Sequence, residues 1–198
     1  MSTIETERLV LRPFRESDAA DVLEYLSGPL PHCFADLKLA DLDEARAEMV
    51  KRSTDPEYCF AIVLKESGKV IGEIDADPST YAPPMLRSRE TAPPPQDTFS
   101  PSLILNAAYH GKGFAYEATY ALFDYLFMRK GVRRIFSYVD DYNACSQHLC
   151  EKLGLRHEGL FTEFVSFVRD ADGNPVYENT LQYAILKEEW MDRLKSKT

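Results

Sequence analysis

Apolar and polar residues alternate along the chain with a period that changes several times, and each period predicts an element. The alternation in RLVLRPF predicts a short strand that ends at Pro13. The segment ESDAADVLEYLSG then shows helical periodicity, with Ser17 as its cap and Gly28 at its end. A second helix is predicted over residues 41–52, because the apolar residues there fall on one stripe.

The rest of the chain continues this alternation of strands and helices. YCFAIVLKESGKVIGEIDA predicts two antiparallel strands around a tight turn. A strand over residues 101–105, a helix over about 114–130, a strand RIFSYV and a short helix from Asn143 to Gly154 follow. GLFTEFVSFVR and YENTLQYAIL predict a hairpin, and a charged helix containing Trp190 closes the chain. The predicted fold class is a mixed α/β sheet flanked by helices.

The length of 198 residues predicts one domain over residues 1–198. Within it, residues 77–99 contain six prolines and break every periodic pattern, so they predict a long proline-rich loop insertion. A loop of this length inside a compact domain is typical of a substrate flap, and a surface insertion without a role is an equal alternative.

Composition narrows the choice of partners and compartment. The formal charge of −9 argues against nucleic acid as a partner. No apolar run approaches the roughly 18 residues that span a bilayer, and the N-terminus lacks the design of a signal peptide. The four cysteines form no CxxC pair. We therefore expect a cytoplasmic protein with reduced thiols and no membrane partner.

The segment LNAAYHGKGFAYEAT places two glycines, Gly111 and Gly113, just before a predicted helix. Glycines there let the unpaired N–H groups of the first helical turn face outward, where they and the helix dipole attract a phosphate. A P-loop requires Ser or Thr after the lysine, and Lys112 is followed by glycine. A dinucleotide fingerprint requires a further glycine, where Tyr116 and Glu117 stand. Both nucleotide motifs are therefore excluded.

Four motifs in order resemble those of the GNAT superfamily of acyl-CoA-dependent N-acyltransferases. HGKGFA matches the family's pyrophosphate loop, with His110 in the place of the usual Gln or Arg. NACSQHLCEKLGLRHEG matches its second landmark, with Leu155 for the usual Phe. The opening TERLVLRPF and the late LQYAILKEEW are similar to the branch that contains the ribosomal-protein N-terminal alanine acetyltransferases. The resemblance covers nearly the whole chain apart from the proline-rich insertion.

The resemblance implies a sheet that splays at its centre to admit acetyl-CoA, with no metal. Acetyl transfer would go directly to a primary amine, on a small molecule or a protein N-terminus, and a homodimer is left open. The pyrophosphate loop, the pantetheine strand and the helix after Asn143 would together bind acetyl-CoA. The implied cofactor-binding residues are Leu103, Ile104, Leu105, His110, Gly111, Lys112, Gly113, Phe114, Ala115, Asn143 and Ser146.

Two catalytic roles are implied, and each has an alternative. In the ribosomal-protein branch a serine at the place of Ser146 is implied to protonate the leaving sulfur, although a helix hydroxyl there can simply satisfy backbone groups. For the base, Glu73 lies beside Asp75 on one strand face, which can also be a solvated face. Further base candidates are Asp140, Glu163, Tyr138 and His32.

One departure from the family pattern leaves a second function open. Many members have Tyr at the position of Cys150, so an acyl-CoA-binding protein without turnover is the alternative to an enzyme. Cys145, His148 and Cys150 resemble a metal site, but on a helix Cys150 points away from the other two.

Overall fold

The computed structural model describes residues 3–54, 58–78 and 97–196. The proline-rich insertion that the sequence predicts lies mostly outside these residues. Strands and helices alternate as expected from the periodicity. The strands are β1 (Ile4–Glu5), β2 (Leu9–Arg12), β3 (Cys59–Leu64), β4 (Val70–Pro78), β5 (Thr98–Leu105), β6 (Arg134–Asp140), β7 (Arg156–Arg169) and β8 (Pro175–Leu186). The α-helices are α1 (Ala19–Leu26), α2 (Leu42–Thr54), α3 (Phe114–Asp124), α4 (Ala144–Leu153) and α5 (Lys187–Lys195).

The described strands form one sheet in the order β1-β2-β3-β4-β5-β6-β8-β7. Neighbouring strands run antiparallel except β5 and β6, which are parallel because α3 carries the chain across between them. The predicted fold class, a mostly antiparallel mixed sheet flanked by helices, is therefore confirmed.

Each face of the sheet has its own core. Val22, Leu26 and Met49 bring α1 and α2 onto one face, where they pack with Ile104. On the opposite face α3, α4 and α5 cover a larger core centred on Trp190, which is fully buried against Phe123 and other rings. Burial of apolar surface stabilises the fold by about 25 cal/mol per Å², so the large aromatic rings of this second core contribute strongly.

The end of α3 and the start of β5 differ from the sequence prediction. The third helix is α-helical only to Asp124, and its last turn, Tyr125–Arg129, is a π-helix. Strand β5 begins at Thr98 rather than at residue 101, since Thr98 and Phe99 pair with β6. That pairing is a tertiary contact, which local periodicity does not record.

Gly72 brings β4 against the end of β5. A Cβ there would clash with the backbone oxygen of Ile104 and lie 2.9 Å from Leu105 Cα. Because both contacts are backbone atoms, we expect Gly72→Ala to force β4 and β5 apart and to lower the free energy of unfolding by about 1–3 kcal/mol. Urea denaturation measures this change.

Gly28→Ala is the matched control, because a Cβ at Gly28 meets no atom within 4 Å. It should change the free energy of unfolding by less than about 0.5 kcal/mol. Equal stabilities of the two variants would contradict the close approach at Gly72.

Candidate functional site

Strands β5 and β6 separate after a short stretch of pairing. They pair only at Thr98 with Arg134 and at Phe99 with Ile135. Beyond those pairs β5 stays with β4 to its end, and β6 stays with β8. Residues 100–105 and 136–140 therefore present unpaired strand edges to each other inside the sheet. The expected splay at the centre of the sheet is confirmed.

Backbone N–H groups of β5 point into this gap. Asn106 N–H donates to Ile71 O at 2.8 Å, and Ser102 N–H donates to Asp75 Oδ1 at 3.0 Å, so both point toward β4. Because N–H directions alternate along a strand, Leu103 and Leu105 point their N–H groups toward β6. His110 Nε2 lies 2.8 Å from Leu105 O on that same side.

A cavity of about 270 Å³ occupies the gap and is lined by residues from both faces of the sheet. Its lining joins elements that are far apart in the sequence. On the α3 and α4 face it is lined by Leu103, Thr119, Phe123, Asn143, Ser146, Leu149 and Cys150. Toward the α1 and α2 face it is lined by Cys33, Phe34, Tyr138, Asp140, Phe164, Val165, Phe167 and Thr180.

Residues 110–115, which contain Gly111 and Gly113 and are here called the glycine joint, follow the end of β5. Gly111 and Gly113 have φ of 72° and 83°, a left-handed conformation that glycine adopts without strain. Gly113 caps α3, and its carbonyl accepts the first helical bond, from Glu117 N–H. The N–H groups of Phe114, Ala115 and Tyr116 precede that bond and have no acceptor within the helix. The joint thus presents a row of backbone donors at the positive end of α3.

An anchor on the glycine joint was not predicted from the sequence. Arg8 Nε donates to Glu117 Oε2 at 2.7 Å, and Arg8 Nη1 donates to Lys112 O at 3.0 Å. Thr6 Oγ1 donates to Glu117 Oε1 at 2.6 Å. Burial alone would raise the pKa of Glu117, but these bonds from Thr6 and Arg8 lower it overall. Arg8 therefore ties the first strands to the joint, and its only signal in the sequence is its place in the opening motif.

Helix α4 brings Asn143, Ser146 and Cys150 to the cavity. Asn143 Oδ1 accepts from Ser146 N–H at 3.1 Å and so caps the helix. Cys150 is buried, and burial raises the pKa of its thiol to about 12. At neutral pH Cys150 is thus a small uncharged group rather than a thiolate.

Glu73 is not among the residues that line the cavity. Its carboxylate accepts a bond from Tyr25 Oη at 2.7 Å and pairs with Arg52 Nη1 at 2.5 Å on the α1 and α2 face. Ile104 lies on that face too, with its side chain in the core. The structure therefore does not bring Glu73 together with Ser146, although it does bring Ser146, Asn143 and Leu103 together.

Two other carboxyl groups lie at or beside the cavity, and both are more basic than usual. Burial raises the pKa of Asp140, and the charge of Glu178 raises it further. Burial also raises the pKa of Asp75, which accepts a 2.5 Å bond from Ser102 Oγ on the cavity wall. A buried carboxyl with a raised pKa is suited to accept a proton.

Metal-binding clusters and membrane-spanning helices were sought among residues 3–54, 58–78 and 97–196. No group of three or more His, Cys, Asp or Glu side chains there could hold a metal ion. No helix in those ranges is both long enough and apolar enough to cross a bilayer.

Comparison with known proteins agrees with the geometry. The chain is 27% identical over 187 residues to the "Uncharacterized N-acetyltransferase YnaD" of Bacillus subtilis (strain 168), covering 94% of this chain and 98% of the relative. The crystal structure of a GNAT-family acetyltransferase from Bacillus anthracis matches with a TM-score of 0.76 at 24% identity, over 94% of this chain and 99% of that one.

A ribosomal-protein-S5-alanine acetyltransferase from Vibrio fischeri also shares the fold, with a TM-score of 0.65 at 18% identity over 96% of this chain and 99% of that one. The family profile described as an acetyltransferase (GNAT) domain matches residues 8–156, which is more than half of the chain. The chain therefore belongs to the GNAT family, whose acetyltransferases use acetyl-CoA as co-substrate.

Proposed function

We propose that the protein transfers an acetyl group from acetyl-CoA directly to a primary amine. The observation that carries this proposal is the separation of β5 and β6, which leaves backbone donors of β5 facing a cavity that Leu103, Ser146 and Asp140 line. A thioester that enters from the α3 and α4 face would meet an amine from the opposite face inside the sheet.

The residues present fit acetyl-CoA. The N–H groups at the start of α3 suit a pyrophosphate, because they carry the positive end of a helix dipole and Gly111 and Gly113 leave the backbone accessible. The N–H groups of Leu103 and Leu105 suit the amides of pantetheine or the thioester oxygen. Arg8 holds the joint in place through Glu117.

We assign one residue to each proton transfer of the proposed reaction. An ammonium must lose a proton before it can attack, and we assign that proton to Asp140 rather than to Glu73, since Glu73 is occupied by Arg52 and Tyr25. The Leu103 N–H would stabilise the oxygen of the attacked carbonyl. The Ser146 hydroxyl, which lines the cavity, would donate to the leaving sulfur.

Direct transfer is supported by the protonation of the thiols that line the cavity. An acyl-enzyme would need a nucleophile such as a thiolate. Two thiols line the cavity, and burial raises the pKa of Cys150 to about 12 and that of Cys33 to about 11, so both stay protonated at neutral pH. Release of coenzyme A thiol, followed with DTNB across a panel of amines, tests the function. Tight binding of coenzyme A without turnover of any amine would refute it.

We expect Gly111→Asp to weaken coenzyme A binding, because it places a negative charge beside the phosphates. The loss should be about 1.5–3 kcal/mol, or about tenfold to a hundredfold in Kd by calorimetry. Gly111→Asn is the control. Asn and Asp have the same shape and both tolerate the φ of 72°, and a Cβ at Gly111 meets no atom within 4 Å. Equal affinities of the two variants would show that the phosphates bind elsewhere.

We expect Ser146→Ala to lower kcat by about a hundredfold, since it removes the proton donor to the sulfur. The Kd for coenzyme A should change by no more than about twofold, because the backbone bond to Asn143 remains. Cys145→Ala, at an exposed neighbour on α4, controls for disturbance of the helix. If kcat and coenzyme A affinity fall by the same factor, Ser146 has a binding role instead.

A further inference from the structure

The part of the cavity that opens toward α1 and α2 has aromatic walls. Tyr138, Phe164 and Phe167 line it and remain 44–48% exposed. The rings of Tyr138 and Phe164 lie 5.7 Å apart, so they form one continuous surface. Exposed aromatic side chains that are contiguous with a cavity are typical of a binding surface for an apolar group.

The inner end of this aromatic pocket is polar. Asp140 on β6 lies directly opposite Thr180 on β8, and directly opposed residues of antiparallel strands share a face. Thr180 is only 3% exposed, and its Oγ1 has no hydrogen-bond partner in the described part of the chain. A buried hydroxyl without a partner is unfavourable, because it has lost its hydrogen bonds to water, and a ligand that bonds to Thr180 would offset that cost.

A second carboxylate lies nearby but is already bonded. Glu178 Oε1 is 2.6 Å from His32 Nδ1, and Glu178 Oε2 accepts a 3.0 Å bond from Tyr142 Oη. These bonds hold the segment between α1 and α2 over the pocket. Tyr142 also bonds to Asp140, but Asp140 lines the cavity and Glu178 does not. Asp140 is therefore the carboxylate that the pocket offers to one ammonium group, rather than half of a pair suited to two.

We propose that the acceptor is a primary monoamine carried on an aromatic group, with its nitrogen between Asp140 and Thr180 and its ring against Tyr138, Phe164 and Phe167. This inference rests on the proposed acetyl transfer. The aromatic pocket leads directly into the gap where Leu103 points its N–H, so the same molecule fills the pocket and presents its nitrogen to the thioester.

Each proton released in the proposed reaction has an acceptor. The acceptor loses two protons between its ammonium form and the amide product. Asp140 takes one and passes it to solvent. The departing thiolate takes the proton of the Ser146 hydroxyl, and the second proton of the amine restores that hydroxyl. The C–N bond forms as the C–S bond breaks. Thr180 Oγ1 can accept a hydrogen bond from the amine, and the lone pair of the amine nitrogen then faces the carbonyl carbon.

Steady-state kinetics with four acceptors test the choice of substrate class. Phenethylamine carries a ring, ethanolamine a hydroxyl, spermidine further charges, and a peptide with N-terminal alanine an extended backbone. We expect kcat/KM for phenethylamine to exceed that for ethanolamine by about a hundredfold, because burial of a phenyl ring is worth about 2–3 kcal/mol. A higher kcat/KM for ethanolamine, spermidine or the peptide would overturn the proposal and leave the acetyltransferase function intact.

Thr180→Val tests the polar end with a readout that a purely structural role would not give. The variant removes a hydroxyl that has no partner and keeps the shape of the side chain. We therefore expect an unchanged or higher Tm, together with a rise in Kd for phenethylamine of about threefold to tenfold by calorimetry on the coenzyme A complex. An unchanged Kd would overturn the placement of the nitrogen.

Phe164→Ala tests the walls, and Tyr177→Ala is its control, because Tyr177 is an exposed aromatic residue of the same hairpin outside the cavity lining. We expect Phe164→Ala alone to lower the preference for phenethylamine over ethanolamine, by about tenfold. If it instead dissociates a dimer in gel filtration and leaves the preference unchanged, the aromatic surface contacts a second copy and the proposal is wrong.

Binding and turnover, measured together, distinguish the proposed acetyl transfer from the proposed aromatic pocket. Phenethylamine that binds in a Thr180-dependent manner, with no turnover of any amine, would support the aromatic pocket and refute acetyl transfer. Turnover of other amines without binding of phenethylamine would do the reverse.

Discussion

The separation of β5 from β6 is the constraint on which the rest of the site depends. Each strand keeps a full ladder on its other side, β5 with β4 and β6 with β8, and those ladders hold the two inner edges apart. Backbone groups inside a sheet are normally paired, because an unpaired buried amide costs free energy. Here the unpaired edge of β5 faces a cavity, where a ligand can satisfy it.

Because the gap passes through the sheet, the two faces can take different partners. Ser146 and Asn143 reach the cavity from α4, and Asp140, Thr180 and the aromatic walls reach it from the opposite side. A donor of acetyl groups and an acceptor can thus approach each other without competing for the same surface. Hydrophobic cores on both faces keep the strands from closing the gap or moving apart.

Side-chain contacts between distant segments hold the irregular parts around the gap. Arg8 and Glu117 fix the glycine joint to the first strands, and His32 and Glu178 fix the segment after α1 to β8. Partly exposed contacts of this kind contribute little to global stability, so we interpret these two mainly as positioning contacts.

Local chemistry in the sequence was enough to predict the order of strands and helices, the glycine joint and the helix that carries Ser146, since periodicity, caps and glycine conformations act over a few residues. Tertiary structure alone decided which carboxylate lines the cavity. Glu73 and Asp140 look alike in the sequence, yet Arg52 and Tyr25 bind the first and the cavity receives the second. The early start of β5, the Arg8 anchor and the unpaired hydroxyl of Thr180 likewise arise from contacts between distant segments. Such contacts depend on how strands pair across the sheet, which no local pattern specifies.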